Sequence, residues 1–240
     1  FEVDRVLQNT SGAVDELGFQ AEQKVKATAN YFHNLVINGT SAASGAGYVT
    51  STFDGLKKLL AGSSTEITAV TDITTSEKMD DNYAAFLDEL DTFIATVDGK
   101  PDMLLMNDKM IGKVRAAARR AGYYSRTEDA FGQPVEAYNG IPLVDAGKYF
   151  NGTATVDVIP TSAAASGVTG KTAIYAVVLG LDAFHAISPT GNSMVQAYMP
   201  DLQSPGAVKK GEVELIAGVV LKNTLKAAVL KDIPVVAALA

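Results

Sequence analysis

The sequence predicts an α+β protein with mixed β-sheets, because helix-like and strand-like patterns divide unequally between its two halves. The first half contains two long stretches in which apolar residues recur every three or four positions, the spacing of one helix face. The second half alternates turn residues with short apolar segments, which is typical of strands. Between the two lies the continuous apolar run Met103–Met106, which indicates a strand buried on both faces.

The first helix is the longest predicted element. A short strand is predicted at residues 1–7, where apolar and polar residues alternate, and the helix follows at residues 14–37. At ~1.5 Å per residue, this helix would be roughly 36 Å long. Gly39 is expected to end it in the left-handed conformation of a C-terminal cap. The apolar residues of its predicted face are Val14, Leu17, Ala21, Val25, Ala29, Phe32 and Val36.

The rest of the first half predicts a loop, a short helix and a second long helix. Residues 41–51 are small and glycine-rich, as in a surface loop, and residues 52–61 predict a short helix. Residues 63–76 predict either an extended segment or a loop. The helix at residues 79–97 has the clearest periodicity in the chain, and acidic residues fall off its apolar face. That face contains Tyr83, Phe86, Leu87, Leu90, Ile94 and Val97.

The second half opens with one helix and then becomes rich in strands. Asn107 and Asp108 follow the apolar run and are expected to cap a helix at residues 109–121. Longer strands are predicted near the C-terminus, at residues 212–221 and 226–233. Shorter strands are predicted between these parts, at residues 135–138, 141–144, 156–159, 173–179 and 194–199.

Composition excludes several classes of protein. The 240 residues are 47% hydrophobic and 20% charged, as in a globular chain. No apolar run reaches the roughly 18 residues expected of a membrane span. The absence of cysteine excludes disulfides and thiolate metal sites. The net charge of −7 argues against sequence-specific DNA binding, because such binding depends on lysine and arginine neutralising phosphates.

The nearest approach to a nucleotide motif is the stretch from Gly167 to Thr172. A phosphate-binding loop requires a glycine five positions before Gly170, where this chain has Ala165. The residues after Lys171 are strand-like, whereas the motif requires the start of a helix. We therefore predict a turn between two strands at this position.

The remaining titratable residues do not combine into a recognisable catalytic or metal site. His33 and His185 are the only histidines, and no serine elbow accompanies them. Two isolated histidines do not make a usual zinc site. A cluster of carboxylates falls on the outward side of the second long helix, where a solvated face is expected rather than a cation or glycoside site. It contains Asp80, Asp81, Asp88, Glu89 and Asp91. We predict no catalytic residue, cofactor or metal, and no enzymatic activity.

One basic stretch runs along the predicted helix at residues 109–121. Arg115 and Arg119 are four residues apart and share a helix face. No aromatic residues are interleaved to stack nucleic-acid bases. A contact between subunits through Lys113, Arg115, Arg119 and Arg120 is the favoured interpretation, with a solvated helix or a nucleic-acid contact as alternatives. The whole stretch contains Lys109, Lys113, Arg115, Arg119, Arg120 and Arg126.

Three motifs in fixed order resemble the major capsid proteins of tailed bacteriophages, which have the Hong Kong 97-type fold. The first joins Ile37-Asn38-Gly39 to Phe53-Asp54-Gly55-Leu56, the second spans residues 102–107, and the third spans residues 135–144. In that family a long spine helix closes on an Asn-Gly turn and a Gly-Leu helix follows. Next come an apolar strand ending in asparagine and a strand pair around Gly-hydrophobic-Pro. The resemblance covers roughly residues 2–233.

The resemblance implies a division into domains. Residues 1–98 would form a peripheral domain with the spine helix at about 14–37. Residues 99–211 would form an axial domain, and residues 212–240 would return as strands of the peripheral domain. The family also has an N-terminal arm and an extended loop before the spine helix, and this sequence does not match them. Both are expected upstream of residue 1.

The function implied by the resemblance is structural. The chain would be a subunit of an icosahedral phage capsid that self-assembles into pentamers and hexamers around double-stranded DNA, without sequence-specific contact. Portal, scaffold and decoration proteins would be further partners, and the virion would assemble in the host cytoplasm. An encapsulin, a protein shell of the same fold around enzyme cargo, is the alternative. A stand-alone enzyme with an unrecognised site is a weaker alternative.

Overall fold

The fold was described from a computed structural model, for residues 1–4, 15–41, 43–44, 47–48, 52–122, 126–128, 134–189, 194–201, 203 and 206–239. The helices are α1 (Glu16–Asn38), α2 (Leu56–Leu59), α3 (Ser76–Ala95) and α4 (Asp108–Arg120), with a 3-10 turn at Thr224–Lys226. The strands are β1 (Glu2–Asp4), β2 (Ala43–Ser44), β3 (Gly47–Tyr48), β4 (Glu66–Thr68), β5 (Met103–Met106), β6 (Arg126–Glu128), β7 (Pro134–Tyr138), β8 (Ile141–Asp145), β9 (Lys148–Phe150), β10 (Thr155–Asp157), β11 (Gly170–Val177), β12 (Phe184–Ile187), β13 (Val195–Tyr198), β14 (Val208–Lys210), β15 (Glu212–Leu215), β16 (Gly218–Leu221) and β17 (Ala227–Val236).

The largest sheet is mixed and runs in the order β4-β17-β11-β5-β8-β7-β6. Two of its pairings are parallel, β4 with β17 and β5 with β8, and the others are antiparallel. The remaining described strands form two-stranded ribbons, which are β1–β14, β9–β10, β12–β16, β13–β15 and β2–β3. The α+β class with mixed sheets is confirmed.

One face of the large sheet is covered by α3 and α4, and together they form the sheet body of the molecule. Successive side chains of a strand point to opposite faces, so alternate residues of β5, Leu104 and Met106, point towards these helices. Both are fully buried, as is Phe86 from α3, and Val114 of α4 is 1% exposed. The predicted apolar face is therefore confirmed for α3. No helix in the described part of the chain is long and apolar enough to cross a membrane.

The second motif, which ends in Asn107, connects four elements of the sheet body. The Oδ1 atom of Asn107 accepts a hydrogen bond from the Met110 amide at 2.9 Å and caps α4, as predicted. Its Nδ2 atom lies within hydrogen-bonding distance of the Ile159 carbonyl and of the hydroxyls of Thr161 and Thr172. The asparagine after β5 thus fixes the start of α4 against β11 and against the segment after β10.

The opposite face of the sheet packs against the end of α1 and against α2. Ile37 closes α1 and is buried with Leu56 and Leu60 from the short helix. Tyr175 and Val229 supply the facing strand residues, from β11 and β17. The two hydrophobic clusters therefore lie on the two faces of one sheet.

Helix α1 and the ribbons β1–β14, β9–β10 and β13–β15 form a second part of the molecule, the spine region. The helix contacts β1, β9, β13 and β15. It has 23 residues, close to the prediction, but its apolar face is only partly buried. Val25 and Phe32 are half-buried, whereas Ala21 is 5% exposed. Residues 5–7 of the predicted first strand, and Val14 of the predicted helix face, lie outside the described residues.

The end of α1 corrects the predicted role of Gly39. Its φ is −54°, so the expected left-handed cap is wrong. A Cβ atom at Gly39 would lie 2.4 Å from the carbonyl oxygens of Leu35 and Phe53, and the Gly55 amide donates to the Gly39 carbonyl at 2.9 Å. Both glycines of the first motif are therefore required by close backbone approach rather than by positive φ.

Several predicted boundaries also need correction. The helix predicted at residues 52–61 is the single turn α2, and the strand predicted at 212–221 is broken into β15 and β16. The undecided segment 63–76 contains β4. Strands β6, β9, β12 and β14 were not predicted, and β2 and β3 lie in the segment predicted as a loop. Strands of two to four residues give too short an alternation to recognise. The predicted domain boundaries near residues 98 and 211 stay predictions, although the large sheet contains strands from both sides of each.

Candidate subunit-contact surfaces

Helix α4 holds the predicted contact residues on the side that faces away from the core. Its buried face contains Met110, Val114, Ala117 and Ala118. These anchor the helix on the sheet body. The basic residues occupy the remaining surface, as expected for an amphipathic helix. Their interactions differ from one residue to the next.

Lys113 is used within its own chain. Its Nζ atom donates to the carbonyl oxygens of Ile73 and Thr74 at 2.6 and 2.9 Å. Burial lowers the pKa of the Lys113 ammonium, with Asp72 opposing and Arg120 adding to the shift. The side chain fastens the segment before α3 to α4.

Arg115 and Arg120 form ion pairs within the chain. The Nε and Nη2 atoms of Arg115 donate to Glu136 on β7 at 3.0 and 2.7 Å, a fork-like geometry that favours arginine. Arg120 pairs with Asp80 on α3 and donates to the Ser76 hydroxyl at 3.2 Å. Both arginines therefore connect α4 to neighbouring elements of the same subunit.

Arg119 is the member of the set whose charge is available. It is exposed at the end of α4, and its side chain makes no hydrogen bond or ion pair with any described residue. The side chain of Arg126 lies outside the described part of the chain. The contact role of Lys113, Arg115, Arg119 and Arg120 stays a prediction, and the geometry now concentrates it on Arg119.

The carboxylates of α3 are mostly exposed, but Glu89 and Asp91, like Asp80, have partners within the chain. The Glu89 carboxylate accepts a hydrogen bond from the Val70 amide at 2.7 Å, and the Asp91 carboxylate accepts one from the Tyr138 hydroxyl at 2.9 Å. Elsewhere, burial raises the pKa of Asp145, and the nearby carboxylates of Asp108 and Asp157 add to the shift. Within the described ranges, no group of three or more histidines, aspartates and glutamates is arranged to hold a metal ion.

The phosphate-loop candidate is a turn followed by a strand. Gly167 has a φ of +71°, and a bridge joins Ala165 to Val168. Lys171 lies in β11, where a phosphate loop would require a helix, so the predicted turn is confirmed. His185 lies in β12, and its buried Nδ1 atom has no hydrogen-bond partner among the described residues.

Apolar side chains exposed near β12, β13 and β15 form a surface that the sequence patterns did not reveal. Ile187, Met194 and Ile216 are 50%, 41% and 51% exposed. Their backbones lie close together in space. The Ile216 amide donates a hydrogen bond to the Met194 carbonyl, and the hydroxyl of Ser188, the neighbour of Ile187, donates to the Ile216 carbonyl. We call these three residues the ribbon patch. Alternation in such short strands gave no reliable signal of which side faces solvent.

Comparison with known proteins identifies the fold. No family model and no curated protein matches the sequence. The holo-SrpI encapsulin complex from Synechococcus elongatus PCC 7942 matches with a TM-score of 0.70 and 16% identity, over 100% of this chain and 74% of that chain. A protein described as a prophage capsid protein of E. coli CFT073 matches with a TM-score of 0.51 and 11% identity. That match covers 89% of this chain and 65% of the prophage protein.

Both similar structures are of shell proteins, and at these identities the similarity establishes the fold and not the function. The arrangement of α1, the mixed sheet and helices α3 and α4 is shared along the whole chain with the encapsulin. The chain therefore has the Hong Kong 97-type fold that the order of its three motifs predicts.

Proposed function

We propose that this protein is a structural subunit that self-assembles into a closed shell. The observation that carries the proposal is the similarity to an encapsulin over the entire chain. A fold by itself does not define a function, so the proposal needs support from the surface of this chain. That support comes from the spine region and from the ribbon patch.

The ribbon patch supports assembly because it leaves apolar side chains in water within a chain of ordinary globular composition. Contiguous apolar patches larger than a few hundred Å² are rare on monomeric proteins and usually mark interaction sites. Closed shells need several interfaces per subunit, together above ~2,000 Å² in total. The half-buried face of α1 offers further surface that a neighbouring copy would cover.

The contents of the shell have two candidates. The sequence motifs favour a phage capsid around double-stranded DNA, made of pentamers and hexamers and joined by portal, scaffold and decoration proteins. The more extensive structural similarity favours an encapsulin with enzyme cargo. The net charge of −7 suits either, because a container encloses its contents without gripping phosphates.

Mass photometry and electron microscopy of the full-length protein test the assembly. We expect symmetric closed particles. A stable monomer or dimer under all conditions would contradict the proposal. Particles that contain a genome and a portal vertex would support the capsid, and small cages with an enzyme inside would support the encapsulin.

Substitutions in the ribbon patch test the surface itself. The double substitution Ile187→Ser with Ile216→Ser is expected to leave the subunit folded and to reduce particle yield at least tenfold. Val70→Ser is the matched control, because Val70 is 89% exposed but belongs to the sheet body. Equal particle yields from the double variant and the control would show that the ribbon patch is not an assembly contact.

The enzyme alternative would require a site that the sequence did not reveal. We propose that the chain has no catalytic role, and natively purified protein provides the test. Stoichiometric retention of a nucleotide, a flavin or zinc would overturn this part of the proposal.

A further inference from the structure

A cleft of about 310 Å³ opens between the end of α1, helix α2 and strands β4, β11 and β17. This volume lies at the lower end of the ~300–1,000 Å³ range of small-molecule sites. We call it the lysine cleft, because Lys57, Lys171 and Lys231 line it. None of the predicted contact residues of α4 lies in it.

The inner wall of the lysine cleft contains the phenol of Tyr175. Tyr175 lines the cleft, and the residue as a whole is 4% exposed. Its hydroxyl forms no hydrogen bond with any described residue, and the oxygen is not fully buried, so it is open to a partner within the cleft. Burial and the charge of Glu66 raise the pKa of Tyr175 to about 12, so the hydroxyl is a donor at neutral pH.

The charges around the cleft favour an anion. Lys231 is held by Glu66 at 2.7 Å, whereas Lys171 is 4.0 Å from Asp232, a loose contact between half-exposed groups. Lys57 forms no ion pair with a described residue. Three lysines and two carboxylates leave one net positive charge in the lining.

The other walls of the cleft are apolar. Ile37, Ile159, Pro160 and Val229 line it, and Ile37, Ile159 and Val229 are each at most 5% exposed. Burial of an apolar group against such walls contributes about 0.8 kcal/mol for each CH₂ removed from water. The cleft thus combines an apolar surface with cationic groups and a phenol hydroxyl that can donate a hydrogen bond.

We propose that the lysine cleft binds a small amphiphilic anion, with a carboxylate or similar headgroup on an apolar body of about eight carbon atoms. The apolar body packs on Ile37, Ile159 and Val229. The headgroup accepts a hydrogen bond from the Tyr175 hydroxyl and lies in the field of Lys57 and Lys171. This binding does not depend on shell assembly, so either proposal can fail without the other.

Isothermal titration calorimetry of the full chain with octanoate is the test. We expect one octanoate per chain, with 1-octanol binding at least tenfold more weakly because it lacks the charge. Tyr175→Phe keeps the ring and removes the donor, so octanoate affinity should fall about tenfold, the effect of one hydrogen bond to a charged group. Lys57→Met should also weaken binding, and added salt should reduce that difference.

Lys24→Met is the matched control, because it removes one lysine from the exposed surface of α1, outside the cleft. Its octanoate affinity should equal that of the unchanged protein. Circular dichroism and the melting temperature of each variant verify folding. Asp232→Asn provides a second test within folded protein: removal of the carboxylate beside Lys171 should strengthen octanoate binding.

Four outcomes would overturn the proposal. Octanoate and 1-octanol could bind equally, which would indicate an apolar groove without anion recognition. Tyr175→Phe and Lys57→Met could both leave affinity unchanged, which would place the anion elsewhere. Octanoate could fail to bind up to its solubility limit. Binding to dissociated subunits but not to assembled particles would show that a neighbouring copy occupies the cleft.

Discussion

The sheet body and the spine region of this molecule are built from similar amphipathic elements but bury them to different extents. In the sheet body, α3 places Phe86, Leu90 and Phe93 at 0–1% exposure against the large sheet. In the spine region, α1 has a similar length, yet Phe19 and Tyr31 are each 48% exposed. Helix α3 has a complete core beneath it, whereas most of α1 lies on two-stranded ribbons and only its end packs against the large sheet.

The difference shows which part of the fold is self-sufficient. Two-stranded ribbons are marginally stable on their own and need packing against another element. The stability of a single subunit should therefore reside in the sheet body, while the spine region gains its remaining burial from neighbouring copies.

The largest effect is expected from removal of a core ring. Phe86→Ala should lower the free energy of unfolding of the dissociated subunit by about 3–5 kcal/mol, because it leaves a cavity in the sheet body. Phe19→Ala is the matched change in the spine region and should alter the free energy of unfolding by about 0.5 kcal/mol or less. Chemical denaturation measures both. Equal losses of unfolding free energy in the two variants would show that the two regions bury their aromatic side chains to the same extent.

The junction between the regions is sensitive to one added methyl group. Gly39→Ala would place a Cβ atom against the carbonyl oxygens of Leu35 and Phe53, and should cost about 1–3 kcal/mol. Gly112→Ala is the control: Gly112 lies within α4 with nothing within 4 Å of an added Cβ atom. It should stabilise the subunit by about 0.5–1 kcal/mol. A tolerated Gly39→Ala would refute the close-approach explanation of the first motif.

Asp54 makes the same junction sensitive to acid. The Ser41 hydroxyl and amide donate to its carboxylate at 2.7 Å, and Lys58 lies at 3.0 Å; together they lower the pKa of Asp54 to about 2. Since the unfolded value is about 3.9, Asp54 stabilises the fold above that pH, and its contribution is lost as the pH falls towards 2. Asp54→Asn should therefore destabilise the subunit at pH 7 and show a smaller additional loss on acidification. Unfolding curves of the unchanged protein and of Asp54→Asn, each at pH 7 and near pH 2, measure how much stability each loses on acidification. Equal losses in the two proteins would contradict the stabilising role of the Asp54 carboxylate.

The smallest effect on folding is expected at Arg119. Arg119→Glu should change subunit unfolding by no more than about 0.5 kcal/mol, because the side chain is exposed. It should nevertheless reduce particle yield in a salt-dependent way if α4 is a subunit contact. Arg120→Glu, by contrast, places like charges together at Asp80 and should destabilise the subunit itself.

Particle counting by mass photometry at low and high salt separates these two arginines. If Arg119→Glu forms normal particles at all salt concentrations, Arg119 does not contribute to a contact between subunits. Normal particles that lose packaged DNA would favour the nucleic-acid interpretation instead. A double substitution at positions 119 and 120 would combine a loss of assembly with a loss of subunit stability, so the single substitutions are more informative.

Much of the fold was predictable because its signals are local. The periodicity of Phe86, Leu87 and Leu90 identified α3, and the run before Asn107 identified β5 together with the cap of α4. The helix length at residues 14–37 was also close to that observed. The pattern failed where elements are short: α2 is one turn, and β9 and β14 have three residues each.

The candidate contact set was only partly understood from the sequence. Arg115 and Arg119 were expected to share one face and one role, because they are four residues apart on a helix. Instead Glu136, from a distant strand, binds Arg115, while Arg119 remains exposed. The partner of each charge depends on which elements pack beside α4, and no pattern within α4 contains that information.

The class of the fold, the positions of its main helices and the order of its motifs could be inferred from residue patterns, since periodicity and capping act over a few residues. Strand pairing could not be inferred in this way, because β4 lies beside β17, more than 150 residues away in sequence. Only the tertiary structure brings Lys57, Lys171 and Tyr175 together in one cleft. The physical reason is that burial and long-range pairing depend on the whole packed arrangement, whereas residue patterns report only on neighbours along the chain.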